Sequence, residues 1–483
     1  MNVKANNTKT QVKVTDNENN ITSIVSKKEM IERAETIKAE LTAWTWKDLE
    51  THGKFSKNEK LSFISDDMLI VGCDIGSETH YVRAIDTRGH ELSKGAYSFS
   101  NSKEGFESAR DWAVKLAAVN GKTQIVMGLE PTGHYWFCVA AWMITNGISV
   151  VQVNPYAVKQ TKEVEDNSQN KDDRKDPKLI ANLVKDGNYG MPYLPEDVYA
   201  DLRGLSALRD QLTEDRGRHI NRLHRQMKIY FPEYMDAFGK IDGVFAIAAL
   251  MKAPFPEDIQ EVGASGLREI WREARLKGRG YSRAEKIVAC AESSVGLKNG
   301  TAAAKMAVQW DAQVIMELTA ELELVETQLH AKCHEIPHAE KILGIRGIGE
   351  NILAGILAEM GDISRFDDVK EIQKLSGLGL VACSSGKHKG QTKISHRGRK
   401  RLRYWLFQAA KSAVTHAEEF KLLHAYYTSR EDNPLKKMQS LIVIACKILR
   451  VIYTLLRTGR QYDPERMLRD IRHPEGTVLK AAA

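Results

Sequence analysis

Two stretches of this chain are apolar at nearly every position, and each stops at a carboxylate. Met68-Leu69-Ile70-Val71-Gly72-Cys73 runs into Asp74, and Ile125-Val126-Met127-Gly128-Leu129 runs into Glu130. A strand apolar on both faces must be covered on both faces, which sets it inside a sheet flanked by helices. The neighbouring segments suit that frame. His80 to Asp86 and Glu91 to Phe99 read as strands joined by the turn Asp86-Thr87-Arg88-Gly89. Residues 103–119 read as an amphipathic helix, 133–146 as a second helix, Ser149 to Val153 as a strand stopped by Asn154-Pro155, and 172–185 as a helix with an acidic start. The order is β-β-β-α-β-α-β-α, an α/β domain.

The remainder is helical in pattern. Residues 1–25, rich in Asn, Thr, Lys and Asp, read as a disordered tail, and 27–52 as one helix. Residues 196–230 form a helix with a leucine stripe and many arginines. In 301–335, Val308, Ile315, Leu318, Leu322, Val325 and Leu329 follow the spacing of a coiled-coil seam, broken at Asp311. Residues 240–300 read as short helices, and 338–460 as a compact, mostly helical unit ending in the apolar helix 438–457. The expected division is a polar extension 1–66, an α/β domain 67–190, a helical coiled-coil region 191–337, a C-terminal domain 338–462 and a tail 463–483.

Several classes are excluded. No run approaches the roughly 18–20 apolar residues of a membrane span, and Met1 to Asn20 has no apolar core of a secretory signal. The six cysteines form no CxxC pair, so a reducing cytoplasm is the expected compartment and a structural zinc site is not expected. The net charge of +7 is too small to indicate a nucleic-acid partner by itself.

Where the charge sits is more informative. If the strands ending at Asp74 and Glu130 are parallel, both acids emerge at one sheet edge. Asp173 and Asp176, three apart at the start of a helix, project from one helical face, with Asp172 a competing choice for the third position. Four converging carboxylates call for a hard divalent cation, and Mg²⁺ prefers oxygen ligands. Further on, Cys383-Ser384-Ser385-Gly386 opens a run to Tyr404 with eight basic residues (Lys387, Lys389, Lys393, Arg397, Arg399, Lys400, Arg401 and Arg403) and no acid. Such a run neutralises phosphates. Ile345-Arg346-Gly347-Ile348-Gly349 precedes an apolar helix, and its glycines let backbone N–H groups approach phosphate, as in a helix–hairpin–helix element.

Val71-Gly72-Cys73-Asp74-Ile75-Gly76, Gly128-Leu129-Glu130-Pro131-Thr132-Gly133-His134 and Lys171-Asp172-Asp173-Arg174-Lys175-Asp176-Pro177 resemble the DEDD transposases of bacterial insertion sequences. That group includes Piv-like DNA invertases and bridge-RNA-guided recombinases. Leu378 to Gly386 with Ile394 to Arg403 resembles the C-terminal serine transposase domain of the same family. The resemblance implies a RuvC-like domain of ribonuclease-H fold and four acids at Asp74, Glu130, Asp173 and Asp176 that bind Mg²⁺. It implies a catalytic serine at Ser385, with Ser384 as the register alternative. It also implies DNA partners (element ends and target) and a noncoding guide RNA from the element itself. The seam adds the expectation of a homo-oligomer, dimer or tetramer, in the bacterial cytoplasm and at the nucleoid when active. Pro177 stands where the family has a small residue, a position a helix's first turn tolerates. Two rival functions are a RuvC-like, structure-selective nuclease using metal-activated water and a non-enzymatic DNA-binding protein.

Overall fold

The computed structural model describes residues 12–15, 21–41, 57–131, 133–165, 174–381, 384–385, 388–389 and 393–469. The chain divides into two compact units, residues 1–194 and 195–483.

The first unit opens with an antiparallel hairpin, β1 (Val12–Thr15) and β2 (Ile21–Val25), then helices α1 (Lys27–Glu40) and α2 (Lys57–Phe63). The extension therefore holds more than the one helix and disordered tail expected. Helix α1 starts where Ser26 and Glu29 form a reciprocal capping box. Its Ala34 and Ile37 are buried in the core of the unit, so this helix is part of the domain body.

The sheet follows: β3 (Met68–Asp74), β4 (Thr79–Ile85), β5 (Tyr97–Ser100), α3 (Lys103–Val119), β6 (Gln124–Leu129), α4 (Trp136–Thr145), β7 (Ser149–Val153), α5 (Pro155–Glu165), α6 (Asp176–Lys185) and β8 (Tyr189–Gly190). The six strands lie in the order β5-β4-β3-β6-β7-β8. Strand β3 is antiparallel to β4 and parallel to β6, and β6 is parallel to β7. The expected β-β-β-α-β-α-β-α order holds, with α5 and β8 added. The strand expected over Glu91 to Phe99 is shorter, with only a bridge from Glu91 to Ile85 and then β5.

Alternation of side chains divides the sheet into two faces. Leu69, Val71 and Cys73 of β3 with Ile125, Met127 and Leu129 of β6 pack on α1, α3 and α4. Ile70 and Val126, with Val151 and Val153 of β7, pack on Val158 of α5 and on Ile180, Ala181 and Val184 of α6. Full burial of both faces explains why these strands are apolar at every position.

The second unit is helical apart from a short β-ribbon: α7 (Asp197–Tyr230), α8 (Tyr234–Phe238), α9 (Val244–Lys252), α10 (Pro256–Glu273), α11 (Ala284–Glu292), α12 (Thr301–His334), α13 (Glu350–Met360), α14 (Val369–Leu375), strands β9 (Leu380–Val381), β10 (Ser384–Ser385), β11 (His388–Lys389) and β12 (Lys393–Ile394), then α15 (Lys400–His416), α16 (Glu418–Ser429), α17 (Lys437–Thr458) and α18 (Pro464–Arg469). Helices α7 and α12 pair antiparallel, Arg209 meeting Glu326 at 2.7 Å and His219 meeting Asp311 at 2.6 Å. Val308, Ile315, Val325 and Leu329 are buried along this pair. The break at Asp311 has a partner: its buried carboxylate accepts from the His219 ring, which removes the cost of an unpaired charge in the seam.

Two cores sit at opposite ends of the pair. One gathers α8 to α11 around Trp271, Phe231 and Tyr234. The other gathers α13 to α17 around Trp405, Phe420 and Ile448. Helix α17 is long and apolar enough by length and composition to cross a membrane, contrary to the expectation that no segment is. Here Ile444, Ile448, Leu449, Ile452 and Leu455 are buried in that second core, which accounts for its apolarity.

Candidate active site

The acidic edge is set by strand register. Strands β3 and β6 are parallel with Cys73 opposite Leu129, so the next residues, Asp74 and Glu130, stand level at the same end of neighbouring strands. Alternation turns both toward the face covered by α6, with Gly72 and Gly128, which are also paired. Those glycines let the helix approach. A Cβ on Gly72 would stand 1.8 Å from the Pro177 carbonyl oxygen and 2.7 Å from the Ala181 nitrogen, and one on Gly128 would stand 2.3 Å from a Val184 methyl. Helix α6 thus lies in backbone contact with β3, and its first residue, Asp176, arrives beside the two strand-end acids. Pro177 fits because it falls in the first turn, where no N–H is needed.

The electrostatics record this convergence. Burial raises the Glu130 pKa above the ordinary glutamate range, and the Asp74 and Asp176 carboxylates raise it further. Lys162, on α5, acts in the opposite sense. Its ammonium donates to both Asp176 oxygens, at 2.7 and 3.0 Å. Among the described residues that act on Glu130, two are carboxylates and one is an ammonium. Asp173 and its competitor Asp172 lie outside the described residues.

All donors are carboxylate oxygens, which suits a hard divalent cation, and a DEDD-type domain typically uses such a metal. Among the described residues, however, no three of His, Cys, Asp and Glu are gathered closely enough to form a ligand set. The three acids are coupled electrostatically, and the set expected for a metal includes Asp173.

Ser384 and Ser385 form β10 and pair antiparallel with His388 and Lys389 of β11, Ser385 opposite His388. The described backbone here is two pairs of two-residue strands. Its base is fastened by the β9–β12 pairing of Leu380 with Ile394 and Val381 with Lys393. Below that, Ser395 N–H donates to the Gly379 carbonyl at 2.7 Å and Arg399 N–H to the Leu375 carbonyl at 2.7 Å.

Members of the basic run fare differently. Lys387 lies outside the described residues, and of Lys389 only the backbone is described. Lys393, Arg397 and Lys400 are exposed. Arg401 pairs with Asp210 at 2.6 Å, and the Arg399 guanidinium donates to the Glu359 carbonyl near the end of α13. Arg403 donates to the Ser376 carbonyl at 2.9 Å and the His396 carbonyl at 3.3 Å. Arg399 and Arg403 thus tie the segment below these strands to helices, while Arg401 joins α15 to α7. Gly349 is the N-cap of α13, and Gly347 adopts φ +89° where a Cβ would stand 2.7 Å from the Ser412 carbonyl oxygen. That element packs on α15.

Lys162 is the member of the acidic site that the sequence did not point to. It lies on α5, a helix not expected after Asn154-Pro155, and a lone lysine in a mixed-charge segment carries no signal of its own.

Comparison with known proteins bears on the same residues. The transposase family of DEDD IS110 type matches residues 71–232, and the Transposase IS116/IS110/IS902 family matches residues 339–427. Together the two matches span 251 of the 483 residues. The first contains Asp74, Glu130, Asp173 and Asp176, and the second Gly347, Gly349, Ser385 and the basic run. A Streptomyces clavuligerus protein, "Insertion element IS116 uncharacterized 44.8 kDa protein", is 23% identical over 399 residues, covering 82% of this chain and 97% of its own length. The "Mini-circle putative transposase for IS117" of Streptomyces coelicolor is 26% identical over 348 residues, 67% of this chain and 79% of its own length. The "Pilin gene-inverting protein" of Moraxella bovis is 30% identical over 132 residues, 27% of this chain and 40% of its own length.

Proposed function

Because the chain belongs to the IS110-type transposases, enzymes that break and rejoin DNA, we propose that it cuts and transfers DNA strands at insertion-sequence ends and targets with two sets of residues. Asp74, Glu130, Asp173 and Asp176 on a RuvC-like, ribonuclease-H-type domain hold Mg²⁺, which when bound supplies charge stabilisation at the scissile phosphate. Ser385, with Ser384 as the register alternative, is the nucleophile. Its Oγ forms an ester with phosphorus, the P–O bond to the departing deoxyribose breaks, the serine proton is lost to a base, and the departing oxygen is protonated. The observation that supports this reading is that Asp74 and Glu130 each stand one residue past the last parallel β3–β6 pair, Cys73 opposite Leu129, while α6 begins with Asp176.

The glycines of Ile345 to Gly349 and the basic residues Lys387, Lys389, Lys393, Arg397, Arg399, Lys400, Arg401 and Arg403 bind nucleic-acid backbone. A guide RNA from the element selects the target, and exposed Arg218, Arg222 and Arg225, about one turn apart on α7, support a backbone-binding face. The protein acts as a homo-oligomer, dimer or tetramer, assisted by the coiled-coil region 191–337, in the cytoplasm at the nucleoid. The domains are 1–66, 67–190, 191–337, 338–462 and 463–483.

The test is cleavage of element-end DNA by the full chain copurified with its RNA. Ser385→Ala and Asp74→Ala are each expected to lower cleavage at least about a thousandfold, and only the chain with Ser385 intact to form a covalent protein–DNA adduct. Intact cleavage by Ser385→Ala would instead favour a nuclease using activated water. Cleavage absent from every form, wild type included, would favour a DNA-binding protein alone.

A further inference from the structure

Helix α12 lies between the two family-matched regions and presents an aromatic ring to solvent. Trp310 is 58% exposed, and Met306, one turn before it, is exposed too. The indole is nonetheless held in place. Its ring meets the His219 ring of α7 edge to face, with centroids 5.2 Å apart. His219 is anchored in turn by the buried Asp311, whose Oδ1 lies 2.6 Å from the imidazole Nδ1 and 3.8 Å from the Arg222 guanidinium. One buried carboxylate thus ties the ring that supports Trp310 to an arginine one turn along α7. The Arg222 side chain stays 55% exposed, which leaves it room for a second anionic partner. Arg218 and Arg225 stand about one turn to either side of it and are exposed, Arg218 also pairing with Asp215.

We propose that Trp310 stacks on an unpaired base of an RNA strand whose phosphates lie along Arg218, Arg222 and Arg225. The inference rests on the reading of that arginine row as an RNA-binding face, and it adds a base-binding residue to it. An exposed indole beside guanidinium groups combines the two contacts that hold a single strand, a flat aromatic partner for the base and charge for the adjoining phosphate. The support of His219 orders the ring before binding, so less freedom is lost when a base arrives. Bases in a duplex are already stacked on one another, so the site selects unpaired ones. Folded RNA offers such bases in loops and bulges, whereas DNA is mostly paired. Twofold self-pairing of this face would bring the arginine rows of two copies together, which like charge opposes.

Fluorescence anisotropy with the full-length chain, freed of nucleic acid, tests this. The probes are an unpaired RNA of about twelve nucleotides, the DNA strand of matching sequence, and the same RNA in duplex with its complement. Trp310→Ala is expected to weaken binding of the unpaired RNA about tenfold and of the duplex by less than about twofold. Trp310→Tyr, which keeps an aromatic face, should stay within about threefold of wild type on the unpaired RNA. Arg222→Gln should weaken both RNA probes and lower the slope of log affinity against log salt on the unpaired strand by about 0.7. Equal RNA binding by Trp310→Ala and wild type overturns the stacking role while leaving the arginine face standing, and a smaller assembly of Trp310→Ala in sedimentation would then give the surface to a second copy. Equal losses on unpaired and duplex RNA overturn base stacking as the cause. A larger loss on the DNA strand than on the RNA overturns the assignment to RNA. No RNA binding by any form, wild type included, overturns both the stacking role and the RNA-binding face.

Discussion

At the acidic edge, side chains stand on a six-stranded sheet, their spacing fixed by β3–β6 register and by a helix seated on two glycines. In the second unit, Ser385 sits in a ribbon of two-residue strands whose base is tied to helices by backbone bonds and arginine side chains. The two regions are also opposite in charge. The edge holds three described carboxylates against Lys162, and the run from Cys383 to Tyr404 has eight basic residues and no acid. Clustered carboxylates favour a hard cation, and a run of basic side chains without an acid in its own sequence favours nucleic-acid phosphate. The edge depends on close packing that admits no extra atom. The ribbon depends on hydrogen bonds and ion pairs that fasten its base.

The sharpest way to break this contrast is to add single carbons. Gly72→Ala places a methyl against backbone atoms of Pro177 and Ala181, which cannot yield without lifting α6 from the sheet. It should cost about 3 kcal/mol or more and remove cleavage activity, read by denaturant unfolding and a cleavage assay. Gly128→Ala meets only the end of the Val184 side chain, which can turn away, and should cost about 1–2 kcal/mol. Gly379→Ala, at the ribbon's base, meets no atom within 4 Å and should change stability by less than about 0.5 kcal/mol. Equal costs at Gly72 and Gly379 would mean that the edge is no more tightly packed than the ribbon.

The same contrast governs what can be read from the sequence. Strands β3 and β7 and helix α3 end at or within a residue of the positions expected, because burial on both faces of a strand leaves an unbroken apolar run and burial on one face of a helix leaves a periodic one. Asp74, Glu130 and Asp176 are legible because acids at the ends of apolar elements are conspicuous. Helix α5 is not. Asn154-Pro155 reads as a stop, and it does end β7, but proline also fits a helix's first turn, and the Asn154 side chain accepts from the Tyr156 N–H at 2.9 Å to start one. Lys162 is missed with its helix. The partition of the basic run is illegible for another reason. Arg403 and Lys400 look alike in sequence, yet Arg403 is bonded to carbonyls 27 and 7 residues away while Lys400 faces solvent. Only tertiary structure supplies those partners.

A smaller effect concerns the charge of the edge. Burial and two neighbouring carboxylates hold the Glu130 pKa above its ordinary range, so the folded chain holds a proton more tightly there than the unfolded chain. Stability from this group is fully present below the ordinary glutamate pKa and is lost as pH rises through the raised folded value. Metal-free protein should therefore lose some stability across that window. Glu130→Gln should flatten the loss and raise the neutral-pH unfolding temperature by about 2 °C, even as it removes a proposed metal ligand. Scanning calorimetry in chelator at pH 5 and pH 7.5 reads both. A lower unfolding temperature for Glu130→Gln at pH 7.5 would mean that the carboxylate is held by donors rather than crowded by acids.

The smallest expected effect separates the members of the basic run. Lys393 and Lys400 are exposed, so replacing both by Gln should leave unfolding unchanged. If both meet phosphates, the double variant binds element-end DNA more weakly, and the slope of log affinity against log salt falls by about 1.8, roughly 0.9 for each phosphate no longer neutralised. Arg403→Gln should do the reverse, lowering the unfolding temperature because the Ser376 and His396 carbonyls are left without their donor, with a smaller change in slope. The two readouts are independent, since a salt slope counts displaced ions and an unfolding temperature does not. A slope unchanged by Lys393→Gln/Lys400→Gln and reduced by Arg403→Gln would move the phosphate-binding face from the exposed lysines to the arginines at the ribbon's base.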